Sequence, residues 1–308
     1  MIARIPAHPI ASAPTAGERE VEETLYVGGI ALPHGGEEQE SGLLMALARL
    51  PGLRWYAERI APRRLRLERV AVPLAALPAG LAGLRIGFLT DIHHDPDWPL
   101  ALLERGIALL QAAEPDLILL GGDYVVDRAD GFAPCAALLG RLRAPLGVYA
   151  ILGNHDYRPG GEALAAQLAA AGPVLLRNEA VRLGAPDDDP LWVVGLDDAL
   201  RGQPDFAAAS ARVPAGEFAL LLAHEPDIAD QLNSDRVGLQ LSGHTHGGQV
   251  VLPGFGPPLL PALGRRYLRG LRHDAGHPVY TSRGLGAVPP YLRFNCPPEV
   301  TLLTLARA

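Results

Sequence analysis

Leu241-Ser242-Gly243-His244-Thr245-His246-Gly247-Gly248-Gln249 sets two histidines one residue apart among glycines, directly after an apolar run. The glycines let the backbone turn sharply, so two imidazoles can point at one place. That suits a strand end opening into a metal-binding loop, because neutral imidazole is a common ligand for Zn, Fe, Ni and Cu. Taken alone, His-x-His fits a polar turn better than a metal site, and the residues upstream decide between the two.

Upstream, Leu84-Arg85-Ile86-Gly87-Phe88-Leu89-Thr90 has the length and apolar character of a buried strand and ends at Asp91-Ile92-His93-His94-Asp95. Pro99 can open a helix with Leu100, Leu103, Ile107 and Leu110 on its buried face. A second strand over 117–120 runs into Gly121-Gly122-Asp123-Tyr124. After a helix over 134–142, a third strand over 147–152 ends at Gly153-Asn154-His155-Asp156. Asp91 and Asp123 are 32 residues apart, and Asp123 and Asn154 are 31 apart, about one βαβ unit each. The pattern continues with a helix over 161–171 and apolar runs at 191–196 and 218–223, the latter ending at His224-Glu225-Pro226-Asp227. Residues 239–241 then lead into the histidine loop, and strands at 279–281 and 300–305 close the chain. In open α/β sheets, sites gather at the carboxyl ends of strands. The loop over 252–276, dense in Pro, Gly and Arg, is long enough to be functional or mobile.

Asp-x-His at 91–93, Gly-Asp at 122–123, Gly-Asn-His-Asp at 153–156, His224 and Gly-His-x-His at 243–246 occur in this order on successive strand ends. The set resembles the calcineurin-like metallophosphoesterase family, over roughly Leu84 to Leu305. The resemblance implies an α/β fold, a four-layer α-β-β-α sandwich of two mixed sheets flanked by helices, and metal-dependent phosphoester hydrolysis. In such chemistry two divalent metals about 3.5–4 Å apart acidify a shared water and clamp the phosphate for in-line attack. It assigns Asp91, His93 and His246 to one metal, Asn154, His224 and His244 to the other, and Asp123 as the bridging carboxylate. The N and O donors, with no thiolate, suit Mn, Fe or Zn; Mg is also admitted and Mn favoured. His155 is implied to donate a proton to the leaving oxygen or to stabilise the transition state, with Asp156 orienting its imidazole. Each residue has a duller reading: Asp91 and Asp123 as helix caps, Asn154 as a turn residue, His224 as a packed core histidine. The ordered set outweighs them.

Gly264-Arg265-Arg266-Tyr267, Ser282-Arg283-Gly284-Leu285-Gly286, Pro297-Pro298-Glu299 and residues 56–84 resemble one branch of that family, the membrane-associated phosphodiesterases that include a UDP-2,3-diacylglucosamine pyrophosphatase. The branch implies a diester or pyrophosphate substrate, lipid-linked and belonging to lipid A synthesis. Arg283, Arg265, Arg266 and His94 are the candidate substrate contacts, since Arg is shaped for bidentate phosphate binding. For the loop arginines a solvated charged loop is an equal alternative. Two other functions stay open: a soluble phosphodiesterase for nucleotides or small diesters, and a metal-binding scaffold without catalysis. The presence of all seven ligands and His155 argues against the scaffold.

The chain has 308 residues, 48% hydrophobic and 20% charged, an ordinary globular composition. Its basic residues are all Arg, and its net charge of -7 argues against a general nucleic-acid binder. Cys135 and Cys296 lie in no metal-like spacing and read as free buried thiols. No signal-peptide pattern and no long uncharged apolar run is present, so the expected location is cytoplasmic, with peripheral attachment to the inner face of the cytoplasmic membrane as an option. That option comes from the lead-in. Residues 1–40 read as an irregular acidic extension, whereas 41–83 read as a basic amphipathic lead-in and linker, with seven Arg between Arg49 and Arg69 and an aromatic pair, Trp55-Tyr56. Pro51-Gly52 interrupts its helical period. The catalytic domain is expected over 84–308, and His8, His34, His273 and His277 are expected at the surface.

Overall fold

A computed structural model describes residues 25–27, 30–32, 50–95, 100–128, 132–184, 189–232, 236–289 and 291–308. In chain order the elements are β1 (Leu25–Val27), β2 (Ile30–Leu32), α1 (Pro51–Arg59), β3 (Arg66–Leu74), β4 (Arg85–Leu89), α2 (Ala101–Ala112), β5 (Leu117–Leu120), α3 (Phe132–Leu139), β6 (Val148–Ala150) and α4 (Asn154–Tyr157). There follow α5 (Gly161–Ala171), β7 (Val174–Leu175), β8 (Glu179–Leu183), β9 (Leu191–Gly195), α6 (Phe206–Ser210), β10 (Phe218–Leu222), β11 (Leu239–Ser242), β12 (Gly270–Arg272), β13 (Val279–Thr281) and β14 (Glu299–Arg307). Twelve of the strands form two mixed six-stranded sheets, ordered β3-β14-β4-β5-β6-β7 and β12-β13-β11-β10-β9-β8.

Four layers follow from apolar residues on both faces of the central strands. In β5, Leu117 and Leu119 enter the core between the sheets, while Ile118 and Leu120 meet the outer helices. A strand buried on both faces reads as one continuous apolar run, which is why Leu-Ile-Leu-Leu is legible as a strand. Leu220, Leu222, Leu239 and Leu241 of the second sheet complete the middle layer. Leu103, Ile107 and Leu110 of α2 and Leu164 and Leu168 of α5 cover one outer face. Ala209 of α6 with Ile228 and Leu232 covers the other. Cys135 and Cys296 are both buried and unpaired.

The lead-in differs from its sequence reading. β3 pairs in parallel with β14 over nine positions, from Arg66 opposite Glu299 to Leu74 opposite Arg307. Residues 66–74 are therefore an edge strand of the sheet, and a domain boundary at 84 would cut it. Its Val72 and Leu74 join the core, whereas Arg66, Arg69 and Pro73 face out. Exposed Arg and Pro are what a sheet edge tolerates, and they conceal the strand pattern. Pro51 opens α1 at its first position and does not break it. Leu77 and Leu81, read as linker, are buried. Within the acidic extension, β1 and β2 form a short antiparallel hairpin where irregular chain was expected; the rest of that extension, with His8 and His34, lies outside the described residues.

His273 is exposed, but His277 is only 4% exposed, its Nε2 lying 3.0 Å from Gln240 Oε1. Burial pushes its pKa down from 6.5 to about 4. The unfolded chain then takes up a proton that the folded chain refuses. Stability from this group is complete above about pH 6.5 and is lost as pH falls towards 4. His277→Gln keeps a donor for Gln240 and removes the titration. Thermal melts from about pH 7 down to 4.5 are expected to show a shallower acid slope for the variant; an unchanged slope contradicts this assignment.

Candidate metal centre

The carboxyl ends of β4, β5, β6, β10 and β11 meet at one end of the sandwich and deliver Asp91 and His93, Asp123, Asn154 and His155, His224, and His244 and His246 respectively. All are buried, none more than 5% exposed. The loops fasten one another: Asp91 N–H donates to Gly122 O at 3.0 Å, and His93 N–H donates to Asp123 O at 3.0 Å. Asp91 Oδ1 accepts the His244 N–H at 2.8 Å, and Asp123 Oδ1 accepts the His155 N–H at 2.9 Å. Neither Asp caps a helix.

Five of these residues hold left-handed backbone: Asp91 (φ 51°), His93 (45°), Asp123 (56°), His244 (69°) and His246 (51°). Such conformations cost about 1–3 kcal/mol each and persist only where the surroundings dictate them. Here they bend each strand end so that its side chain turns back into the cluster. The neighbouring glycines supply room for that bend. A Cβ on Gly243 would overlap the Asp91 carboxylate and the Thr90 hydroxyl, and one on Gly153 would overlap the Asp123 carboxylate. Gly243→Ala is therefore expected to cost about 1–3 kcal/mol, as overpacking does, and to weaken metal binding. Melting curves with and without added Mn check this; wild-type values in both contradict it.

Asp91, His93 and His246 form one group of ligand atoms, and Asp123, His224 and His244 another. Asp123 lies between them, its Oδ2 3.3 Å from His93 Nε2 and 3.1 Å from His224 Nε2. His246 Nε2 is 2.9 Å from His93 Nε2 and 3.5 Å from Asp91 Oδ1. Asn154 Oδ1 is 3.2 Å from His244 Nδ1.

Backbone carbonyls fix the rings from behind: Gly121 O accepts from His224 Nδ1 at 2.8 Å, and Ala262 O from His244 Nε2 at 2.8 Å. With those protons outward, the His224 Nε2 and His244 Nδ1 lone pairs face the cluster. His224 Nε2 has no hydrogen-bond partner, and His244 Nδ1 confronts a carboxamide oxygen, another acceptor. Buried acceptors aimed at one another are the signature of a cation site.

Electrostatics agree. Burial, aided by the neighbouring His93 imidazole and the Arg293 guanidinium, lowers His246 well below its usual range, and burial lowers His93. Both are thus in the neutral, ligating form. Burial alone would raise Asp123, but the His224 and His155 imidazoles outweigh it and hold the carboxylate ionised. His224 shows the reverse balance: burial lowers its pKa, but Asp123, Asp91 and Glu225 outweigh it and raise it well above normal, so the negative charge around Nε2 favours a proton there, or a cation in its place.

His155 sits in the same cluster, its ring 4.7 Å from that of His93 and nearly perpendicular to it. Its Nδ1 donates to Val126 O at 2.7 Å, with Asp127 Oδ1 at 3.7 Å. Asp156, expected to orient this ring, does something else. Its carboxylate accepts the N–H groups of Asp123 (2.8 Å), Tyr124 (2.7 Å) and Gly153 (2.9 Å), tying the loop after β5 to the turn before α4.

Two of the three candidate substrate arginines are engaged elsewhere. Arg283 is ion-paired with Glu68 on β3 and Glu299 on β14. Arg266 pairs with Asp230 at 2.7 Å and lies over the Tyr267 ring, and the Arg265 side chain is exposed. The backbone N–H groups of both loop arginines donate to Asp227, so the acidic turn at 226–230 holds that loop by its main chain. His94 is 9% exposed and bridged to Val125 beside the cluster.

Sequence reasoning passed over Arg293 and an acidic pair. Arg293 is buried, donates to Arg283 O at 2.7 Å and backs the His246 ring at 3.5 Å; a single Arg in a loop gives no signal. Asp198 and Glu225 are buried together behind His224. Burial and the Glu225 charge raise Asp198 well above its usual range. Asp197-Asp198 follows an apolar strand as the other site residues do, and that signal was available.

Comparison with known proteins agrees with this geometry. The sequence pattern of the family described as calcineurin-like phosphoesterase matches residues 84–248. The chain is 35% identical over 254 residues to the uncharacterized metallophosphoesterase YkuE of Bacillus subtilis, covering 81% of this chain and 88% of that protein. It is 38% identical over 244 residues to phosphodiesterase YaeI of Escherichia coli, covering 77% and 88%. A Danio rerio protein named transmembrane protein with metallophosphoesterase domain is 30% identical over 253 residues, 78% of this chain and 57% of that one. Two mixed sheets between helices, buried clusters of His, Asp and Asn at their strand ends, and relatives alike over most of their length place the chain in the calcineurin-like metallophosphoesterase family, the phosphoester hydrolases.

Proposed function

We propose that this enzyme is a dinuclear-metal phosphodiesterase or pyrophosphatase acting on a lipid-linked substrate of the UDP-2,3-diacylglucosamine type at a membrane surface. The observation that carries the dinuclear reading is Asp123 Oδ2, within 3.3 Å of one histidine group and 3.1 Å of the other. Asp91, His93 and His246 would hold one divalent ion, Asn154, His224 and His244 the second, and Asp123 both; manganese is the favoured occupant. When bound, such a pair supplies a nucleophile at neutral pH and offsets charge on the phosphoryl oxygens. The chain's own residues supply the rest. His155, its Nδ1 proton committed to Val126 O, presents Nε2 to the cluster; in the imidazolium form Nε2 carries a second proton, which it gives to the leaving oxygen, returning to the neutral ring. Asp156 fixes the two loops that carry Asp123 and His155.

The substrate assignment is supported by the branch resemblance, by the name phosphodiesterase on YaeI, and by the surface around α1. Trp55 is 59% exposed and Leu50 51% exposed, with exposed Arg59, Arg63 and Arg64 nearby in the chain. Apolar and cationic groups together suit an anionic bilayer surface. Among the described residues no helix is long and apolar enough to cross a membrane. The test compares UMP release from UDP-diacylglucosamine in mixed micelles with hydrolysis of bis-p-nitrophenyl phosphate by Mn-loaded enzyme. Faster UMP release supports the proposal. Turnover of the small diester alone leaves the hydrolase and removes the lipid substrate.

A further inference from the structure

Beside the metal cluster lies a cavity of about 620 Å³, within the size range that holds a drug-sized ligand. Among the described residues its walls are mainly aliphatic, with Ala57, Ala61, Ile92, Leu102, Leu103 and Leu285 contributed by α1 and the turn after it, the loop after β4, α2 and the segment before β14. His93 lines it too, so the cavity lies directly against the candidate metal centre, although the His93 ring itself is buried.

Three polar side chains at its edge are already engaged by other protein groups. Tyr291 Oη donates to Asp95 Oδ2 at 3.1 Å, and Arg105 donates to Pro62 O at 3.2 Å. Arg293 spends its donors on the carbonyls of residues 283, 284 and 286. A nucleobase or sugar in this space would bury donors and acceptors against aliphatic walls, at a cost of roughly 1–3 kcal/mol for each one left unmatched. A hydrocarbon chain meets no such cost. α1, whose Ala57 forms part of the wall, also presents Trp55 to solvent on another face, 59% exposed.

We infer that this cavity is the binding site for the hydrocarbon chain of an amphiphilic phosphoester, held with its phosphate at the cluster and its tail between α1 and α2. This rests on the phosphodiesterase reading above and adds where the tail goes.

The test measures binding of non-hydrolysable alkylphosphonates, from methyl to octyl, to Mn-loaded full-length protein by calorimetry. Hydrolysis of bis-p-nitrophenyl phosphate is followed in parallel. Affinity is expected to rise roughly fourfold per added methylene over the first carbons, the gain from burying each one. Ala101 is exposed at the start of α2 and lines the cavity without touching the cluster. Ala101→Trp is expected to abolish the rise, so that every chain length binds about as weakly as methylphosphonate. Leu102→Asn gives the same readout should the tryptophan variant fold poorly. An affinity independent of chain length, or a rise that survives in both variants, overturns the tail site, and continued diester turnover then shows that the hydrolase reading stands. A rise abolished by the variants, with no diester hydrolysed, supports the tail site and overturns the phosphodiesterase reading.

Discussion

Asp123→Asn is expected to lose bound metal and turnover together, with activity falling roughly a thousandfold or more, the several kcal/mol that a metal pair contributes as Lewis acid. The side chain keeps its shape but gives up the charge. Among the described residues Asp123 Oδ2 is the one carboxylate oxygen in contact range of both histidine groups, and Oδ1 already accepts the His155 N–H at 2.9 Å. An amide at this position can preserve the Oδ1 contact only by turning its NH₂ towards His93 and His224. That places donors where the buried imidazole lone pairs need a cation. Metal content by elemental analysis and turnover of bis-p-nitrophenyl phosphate check the prediction together. A variant that keeps both metals and hydrolyses the diester contradicts the shared role of Asp123.

His155→Ala has the second-largest expected effect, and its signature is different: kcat falls about 10²–10⁴-fold, the range for losing a positioned general acid, while metal content stays near wild type. The separation follows from the geometry. The His155 backbone N–H, which the substitution leaves in place, steadies Asp123, whereas the ring is fixed from behind by Val126 O at 2.7 Å. The limb of the pH–rate profile due to the acid is expected to disappear with the ring. The loss is expected to shrink for substrates with an activated p-nitrophenolate leaving group, which needs little protonation. Equal losses for good and poor leaving groups contradict the proton-donor role, and loss of metal would make His155 a ligand.

The strand-end clusters are legible in the sequence because their strands are buried on both faces. Runs such as Leu117–Leu120 and Phe218–Leu222 admit no polar residue, so the first Asp, Asn or His after each marks the strand end. β3 is hidden for the opposite reason. At the sheet edge its outward positions carry Arg66, Arg69 and Pro73, and the composition reads as a charged lead-in. β7, with two residues, and β8, with Glu179 and Arg182 among its five, are too short or too polar to register. Side-chain direction is the other gap. Asp156 stands next to His155 in sequence, yet its carboxylate turns back to three backbone N–H groups while a distant carbonyl holds the imidazole. Arg283 lies in a glycine-rich stretch beside the site, but Glu68 and Glu299 come together around it only when β3 and β14 pair. Contacts made by sheet pairing across more than two hundred residues leave no local trace.

The most direct test of the central claim is electron paramagnetic resonance of the metal-free protein titrated with Mn, with elemental analysis of the product. The account predicts two Mn ions per chain that give an exchange-coupled signal, because one carboxylate joins them, and predicts that the coupling disappears in Asp123→Asn. A fully active enzyme holding a single Mn, or two Mn ions with isolated signals, would contradict it.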